Sequence, residues 1–395
     1  MKRGKATYCG AMLLASSICA TLAGSVGAED DHTALVNARS HFFGFENVNQ
    51  RTGEVDREKV IVSWFSVQSF AVAVRGRVFF LDSYIYRLAD TPAYVPTTVQ
   101  ELVDLKPEVI FIGHGHGDHA DNAAYIALKT GARIFGAAEH CVAMDADVAK
   151  LVSAGLFPSG SQVRCTSLTT TGAAPGSEVR EINVLRPDVC VSSFKHVHSG
   201  LGNGPNAAFP GVLVNPIRDP RVDTLFPATP PPKLNTTTTG IGGGGAVSMF
   251  YQFTVADSDF SFVWHDTAGP LIDLAPNVLD MLKFLPKADL ELGAIVSVGE
   301  TVNGVRDIGM YIQNIKPKIF YGGHSDNFNI GASLFYQQAL VKQFDVFKIP
   351  LEERPEIRGL NDPYDYLRPG LATFPYKDRI WRDTPPGKAS PTCRF

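Results

Sequence analysis

The chain has 395 residues, of which 45% are hydrophobic, 10% aromatic and 19% charged. This is the composition of an ordinary globular protein, and it excludes a disordered, collagen-like or coiled-coil chain. Lys and Arg number 36 against 40 Asp and Glu, which gives a formal net charge of -4. Such a surface has no electrostatic reason to bind nucleic acid, so we expect no nucleic-acid partner.

Residues 1–28 have the features of a secretory signal peptide. Lys2, Arg3 and Lys5 precede an apolar run from Tyr8 to Val26. Val26-Gly27-Ala28 then provides the small residues typical of a cleavage site. We therefore expect cleavage after Ala28 and a periplasmic or secreted protein. The alternative is an uncleaved membrane anchor. No other stretch approaches the roughly 20 apolar residues of a membrane helix, so we expect no stable membrane insertion once the signal is removed.

Four of the six cysteines lie after this segment, at Cys141, Cys165, Cys190 and Cys393. An even number of cysteines in an oxidising compartment indicates one or two disulfides. Cys141 and Cys165 are the closest pair in sequence. No CxxC spacing occurs, so we do not expect a zinc site built from cysteines.

The rest of the chain alternates between two kinds of pattern. Short β-branched or aromatic runs between turn residues predict strands, and longer runs with helical spacing predict helices. The predicted strands cover 60–65, 69–74, 77–82, 108–113, 133–136, 184–194, 246–255, 260–266, 293–299 and 318–323. The predicted helices cover 122–129, 277–285, 305–315 and 332–344. The segment 200–246 is rich in Pro, Thr and Gly without any period, which predicts a long loop insertion.

A cluster of histidines directly follows the predicted strand 108–113. It reads His114-Gly-His116-Gly-Asp118-His119. Residues two apart in an extended loop point the same way, so His114 and His116 can bind one metal ion. Asp118 and His119 are displaced by the second glycine and can face another ion. Imidazole and carboxylate groups at this spacing suit zinc or a similar divalent ion; the alternative is a polar turn that happens to contain histidines.

This string resembles the HxHxDH signature of the metallo-β-lactamase fold superfamily of metal-dependent hydrolases. The superfamily's other characteristic positions are matched in the same order along the chain, at Asp82, His198, Asp266 and His324. The similarity covers roughly residues 58–345. It implies an α/β fold, the αββα four-layer sandwich of the metallo-β-lactamase type. Residues 29–57 would then be an N-terminal extension and residues 346–395 a C-terminal extension.

The resemblance also implies a role for each matched residue. Asp266 would bridge two metal ions, and Asp82 would orient the histidine loop from outside the ligand set, as outer carboxylates commonly do. Asp118 would serve the catalytic step as well as binding metal. One ion would be held by His114, His116 and His198, and the other by Asp118, His119 and His324.

The remaining histidines are predicted to lie outside the ligand set. His196 competes with His198, and we favour His198 because the Ser-Gly after it resembles the ascorbate-phosphate-lactonase-like branch of the superfamily. His265 precedes Asp266 on a strand and should face the opposite way. No cluster surrounds the others, which we expect at the surface: His32, His41 and His140.

The implied activity is that of a secreted hydrolase with two divalent ions, zinc first and manganese or iron as alternatives. Two ions about 3.5–4 Å apart can share a hydroxide and lower its pKa from about 15.7 to about 7. No serine or cysteine nucleophile is then required. The expected substrate is a small molecule: a lactone, an ester or amide, or a phosphoester. The sequence does not determine whether the chain forms a homo-oligomer.

Four other functions are alternatives to a hydrolase with two metal ions. One is a mononuclear iron oxidoreductase like the persulfide dioxygenases, which also carry HxHxDH. A β-lactamase is disfavoured because those enzymes lack the bridging carboxylate matched by Asp266. A nucleic-acid hydrolase is disfavoured by the acidic balance. The last is a binding protein with a degenerate site, which the presence of all seven candidate ligands disfavours.

Overall fold

The computed structural model describes residues 30–85, 97–199, 245–295, 305–326, 332–359 and 361–393. The predicted signal peptide lies outside the described residues, as does nearly all of the predicted insertion 200–246. Within the described part, no helix combines the length and the apolar character needed to cross a membrane.

One seven-stranded sheet is built mainly from the N-terminal half of the chain. Its strands are β1 (Lys59–Ser66), β2 (Ser69–Val74), β3 (Arg77–Leu81), β4 (Val109–Phe111), β5 (Arg133–Gly136), β6 (Arg164–Ser167) and β14 (Thr373–Pro375). They lie in the order β14-β1-β2-β3-β4-β5-β6. The first three strands form an antiparallel meander, and β3 to β6 run parallel. The carboxyl ends of β3 and β4 therefore share one edge.

A second seven-stranded sheet is built from the C-terminal half. Its strands are β7 (Val179–Ile182), β8 (Val189–Val197), β9 (Val247–Val255), β10 (Ser261–His265), β11 (Leu290–Ala294), β12 (Ile319–Gly323) and β13 (Glu356–Gly359). They lie in the order β13-β12-β11-β10-β9-β8-β7. Strands β7 to β10 are antiparallel, and β10 to β13 run parallel. The carboxyl ends of β10 and β12 thus point the same way.

Helices cover the outer faces of the two sheets. They are α1 (including 30–43), α2 (Val99–Asp104), α3 (Gly117–Ala120), α4 (Ala123–Thr130), α5 (Ala138–Ser153), α6 (Leu271–Leu274), α7 (Pro276–Phe284), α8 (Arg306–Ile315) and α9 (Ala332–Val346). Successive residues of a strand point to opposite faces. In β1, Val62 therefore joins the core between the sheets, whereas Ile61 packs under the helices. A third apolar cluster lies between the second sheet and its helices. The predicted four-layer α/β sandwich is confirmed.

The C-terminal segment, predicted as an extension, takes part in both sheets. Its strands β13 and β14 pair with β12 and β1 at the sheet edges. A disulfide between Cys190 and Cys393 joins its end to β8, and a second disulfide links Cys141 to Cys165. Residues 346–359 and 361–393 are therefore packed as part of the same fold.

Several elements differ from the sequence prediction. No element was predicted between 137 and 183, where the structure has α5, β6 and β7. Strand β11 was predicted over 293–299 but covers Leu290–Ala294, and residues 296–299 lie outside the described part. The charged residue Glu291 interrupts the apolar pattern of this strand, so the pattern does not predict its true bounds. The carboxylate can be buried because it forms a hydrogen bond with His265 of β10.

Candidate metal centre

The histidine loop lies where the two sheets meet. It follows β4 of the first sheet, and His114 forms a single β-bridge with Ser248 of the second. The backbone N–H of Met249 donates to the carbonyl of Gly113 at 2.7 Å. A Cβ on Gly113 would lie 2.1 Å from Oδ2 of Asp266, so only glycine lets the loop approach that carboxylate. Backbone contacts therefore place the loop against Asp266.

Among the residues that the structure describes, three groups of side chains could hold a metal ion, and the first contains His114, His116 and His198. Their candidate ligand atoms all lie within 4.8 Å of one another. The ring of His198 is 4.7 Å from that of His114 and 4.8 Å from that of His116, centroid to centroid. His114 is buried, whereas His116 and His198 are half-buried. This group faces the open side of the site.

The second group contains Asp118, His119 and His324. Nε2 of His119 lies 3.0 Å from Nε2 of His324 and 3.6 Å from Oδ2 of Asp118. The distance from Nε2 of His324 to the same carboxylate oxygen is 3.8 Å. Three donor atoms from two segments, α3 and the end of β12, therefore lie close together.

Asp266 lies between these two groups. Its Oδ2 is 2.7 Å from Nδ1 of His114 and 3.2 Å from Nδ1 of His119, and the three residues form the third possible metal-binding group. Oδ1 of Asp266 is buried without a hydrogen-bond partner among the described residues. A buried carboxylate oxygen normally has a partner, so an unpaired one is suited to a cation.

Asp82 supports the histidine loop from behind. Its Oδ2 accepts a hydrogen bond from Nδ1 of His119 at 2.8 Å, and its Oδ1 accepts from the backbone N–H of Gly113 at 2.9 Å. A proton on Nδ1 leaves the Nε2 lone pair of His119 directed at His324 and Asp118. This carboxylate–histidine arrangement is the one that orients metal-binding imidazoles.

His324 is fixed by the first hairpin of the chain. It adopts a φ of +70°, and its backbone N–H donates to the carbonyl of Val67 at 2.7 Å. The indole N–H of Trp64 donates to the same carbonyl at 2.9 Å. The turn between β1 and β2 thus positions a residue more than 250 positions away in the chain.

The electrostatics of the site favour ligands in their metal-binding form. Burial lowers the pKa of His114 to about 3 and lowers the pKa values of His116, His198 and His324. Neutral imidazoles with available lone pairs are what divalent ions bind. Burial would also lower the pKa of His119, but the nearby carboxylates, Asp118 first, raise it well above its ordinary value.

The donor set as a whole fits divalent metal ions. Imidazole nitrogens and carboxylate oxygens are the ligands of zinc, manganese and non-haem iron sites. Nε2 of His119 and Nε2 of His324 are 3.0 Å apart, and one buried oxygen of Asp266 has no hydrogen-bond partner among the described residues. A cation among them would satisfy both groups.

The histidines outside the three groups lie in different environments. His196 is buried with Nδ1 2.7 Å from the hydroxyl of Tyr311, so His198 is the one brought to the site. His265 is buried outside the ligand groups, as predicted. His32 and His41 are exposed, as predicted. The prediction that His140 lies at the surface is wrong. It is buried, with Nδ1 accepting from the backbone of Ala137 and Nε2 facing the carbonyl of Val247, contacts that no local pattern reveals.

Comparison with known proteins gives partial matches. No family model matches the chain. UPF0173 metal-dependent hydrolases from Pyrobaculum neutrophilum and Pyrobaculum arsenaticum are each 33% identical over 78 residues, which is 20% of this chain and 32% of theirs. The match thus spans about a third of the length of these curated relatives.

Two solved structures match much more of the chain at low identity. One is a metallo hydrolase from Ignicoccus hospitalis, 14% identical with a TM-score of 0.44, covering 76% of this chain and 94% of that one. The other is a metallo-β-lactamase fold protein from Bacillus subtilis, 10% identical with a TM-score of 0.37, covering 76% and 95%. Two helix-covered mixed sheets carry the HxHxDH loop where they meet. This is the four-layer arrangement of the metallo-β-lactamase type that the resemblance in the sequence predicts.

Proposed function

We propose that the protein is a hydrolase of a small molecule that works with two divalent metal ions, zinc in the first place and manganese or iron as alternatives. One observation carries this proposal: seven imidazole and carboxylate side chains from four separate segments converge into three overlapping metal-binding groups. The names of the Pyrobaculum relatives support the same activity over the part of the chain that they match.

Each side chain has a distinct task in this proposal. His114, His116 and His198 hold one ion, and Asp118, His119 and His324 hold the other. Asp266 lies between them, with Oδ2 toward two of the histidines and Oδ1 available. When bound, the two ions supply an activated water at neutral pH and polarise the substrate carbonyl or phosphoryl oxygen.

Asp118 is proposed to handle a proton as well as bind metal. Its side chain is 19% exposed, on the open side of the centre. Burial would raise the pKa of its carboxyl, but the neighbouring imidazoles, His119 first, lower it below its ordinary value. The carboxylate is therefore ionised at neutral pH, and we propose that its oxygen that does not hold metal accepts a proton during the reaction.

The distribution of burial indicates how substrate approaches. Asp82, His114, His119 and Asp266 form a buried floor, whereas the remaining ligands are half-buried. A small lactone, ester, amide or phosphoester would approach from that half-buried side. The second metal-binding group favours two ions over the mononuclear iron of a persulfide dioxygenase, and the central position of Asp266 disfavours a β-lactamase.

We also propose that the protein is exported, with cleavage after Ala28. The two disulfides support this proposal, since such bonds persist in oxidising compartments and are rare in the cytosol. Fractionation of cells producing the full chain, with N-terminal sequencing of the product, tests it. A full-length product confined to the cytosol would contradict export.

The hydrolase proposal is tested with purified wild-type protein, a His116→Ala variant and a His41→Ala variant as the exposed control. Metal content is measured together with turnover of lactones, esters, amides, phosphodiesters and a chromogenic β-lactam. We expect bound divalent metal and chelator-sensitive hydrolysis in the wild type and the control, and loss of both in His116→Ala. Protein that binds no divalent metal after reconstitution would overturn the proposal.

A further inference from the structure

A buried polar network lies behind the metal centre and is used by none of the steps above. It connects the segment that ends at His198 with the segment that follows Asp266. These two ligand-bearing segments belong to non-adjacent strands, β8 and β10. Their relative position sets the distance between a terminal histidine and the carboxylate between the two ion sites.

The two segments are in direct contact. The backbone N–H of Ser199 donates to Oγ1 of Thr267 at 3.0 Å. A Cβ on Gly269 would lie 2.4 Å from the carbonyl oxygens of both Val197 and His198. Only a residue without a Cβ fits at Gly269, so the backbones of the His198 segment and the Asp266 segment are in direct contact.

The side chain of Tyr311 ties the two segments together. Its hydroxyl lies 2.7 Å from Nδ1 of His196, two residues before His198. Its ring stacks on that of His265, the residue before Asp266. One side chain on α8 thus contacts both ligand-bearing segments.

Tyr311 is itself held by a stacked ring. Its ring lies 4.5 Å from that of His265, at an interplanar angle of 23°. Nε2 of His265 is 2.9 Å from Oε1 of Glu291, and Nδ1 is 2.9 Å from the carbonyl of Thr267. His265 and Glu291 are fully buried. The pair therefore locks both the ring beneath Tyr311 and the turn after Asp266.

We propose that Tyr311, with the His265–Glu291 pair behind it, is a positioning residue for the metal centre. Its hydroxyl, at His196, and its ring, at His265, hold the His198 and Asp266 segments at the separation that metal binding requires. This inference rests on the proposed metal centre. It predicts that metal affinity depends on hydrogen bonds made entirely behind the ligands, which typically contribute 10- to 100-fold in affinity.

The test compares Tyr311→Phe with Tyr376→Phe in the full chain. Tyr376 is buried and follows the edge strand β14, outside the metal-binding groups, so its variant controls for the loss of a buried phenol. Zinc affinity is measured by competition with a chelator, the visible spectrum is recorded with cobalt(II), and thermal unfolding is followed without metal. We expect Tyr311→Phe to bind zinc about 10- to 100-fold more weakly with a changed cobalt spectrum, and Tyr376→Phe to match the wild type in both.

A second pair of variants makes the test independent of the stability of Tyr311→Phe. In Glu291→Gln, the amide can still hydrogen bond to Nε2 of His265, whereas Glu291→Leu cannot. Wild-type affinity in Glu291→Gln with a fall in Glu291→Leu supports the proposal. Wild-type affinity and spectrum in Tyr311→Phe, or equal affinities in the two Glu291 variants, would overturn it. A wild-type protein without zinc binding would instead overturn the proposed function.

Discussion

The buried floor and the half-buried side of the metal centre differ in their burial and in how much they contribute to the folded core. On the floor, His119 and Asp266 are fully buried, and each contacts at least two other charged or imidazole groups. On the other side, His116 and His198 are half-buried and lie close to the other rings of their group. The floor therefore belongs to the folded core, and the half-buried ligands complete the site without holding the fold together.

The largest effect is expected from Asp266→Ala, on the floor. It removes the carboxylate that lies between the two groups and leaves Nδ1 of His114 without the oxygen that it faces at 2.7 Å, whereas Nδ1 of His119 keeps its hydrogen bond to Asp82. We expect loss of metal and hydrolytic activity, and a fall of about 1–3 kcal/mol in the free energy of unfolding of metal-free protein. Elemental analysis and denaturant titration measure these changes. Retention of full metal content would show that Asp266 is not a ligand.

The matching change on the half-buried side is His116→Ala. It should also abolish metal binding and activity, because one group of three ligands loses a member. The free energy of unfolding without metal should change by less than about 0.5 kcal/mol, as at other positions outside the core. If His116→Ala destabilised the metal-free protein as much as Asp266→Ala, the distinction between floor and half-buried side would fail.

A smaller effect is expected from Asp82→Asn, behind the floor. The amide keeps the shape of the side chain but removes the charge that favours a proton on Nδ1 of His119. We expect metal affinity to fall about 10- to 100-fold while the ligands themselves remain. Chelator competition measures this. An affinity equal to that of the wild type would show that the contact at 2.8 Å does not orient His119.

The smallest expected effect is the change in the free energy of unfolding of metal-free protein with pH. Burial lowers the pKa of both His114 and His196 from 6.5 to about 3. Between these values the unfolded chain binds protons that the folded chain does not, so the free energy of unfolding should fall as pH drops below about 6.5. The raised pKa of His119 adds stability only as pH falls toward 6.5, and below that value its contribution is constant. Denaturant titration with a chelator from pH 7 to pH 4 measures the slope, and greater stability at pH 4 would contradict it.

The sequence predicted which side chains lie together, because each candidate ligand directly follows an apolar strand or lies in a short motif. His114 to His119 form one continuous string, and Asp266 and His324 close strands that were recognised from their apolar residues. In a parallel arrangement, strand ends gather at one edge, so local patterns were enough to place these residues together. The choice between His196 and His198 depended on a resemblance, which the structure's grouping supports.

The supporting residues could not be found in the same way. His140, Glu291 and Tyr311 each have partners far away in the sequence, and nothing next to them in the chain marks them as buried polar groups. The edge strands β13 and β14 were missed for a related reason. They are short, and their pairing with β12 and β1 depends on contacts across the whole domain.

The most direct test of the account is the number of metal ions bound per chain, measured by native mass spectrometry and elemental analysis on reconstituted wild-type protein and on Asp118→Ala. Two divalent ions in the wild type and at most one in the variant are the expected result. A wild type that never binds more than one ion, and binds it equally well in Asp118→Ala, would contradict a centre built from these seven side chains.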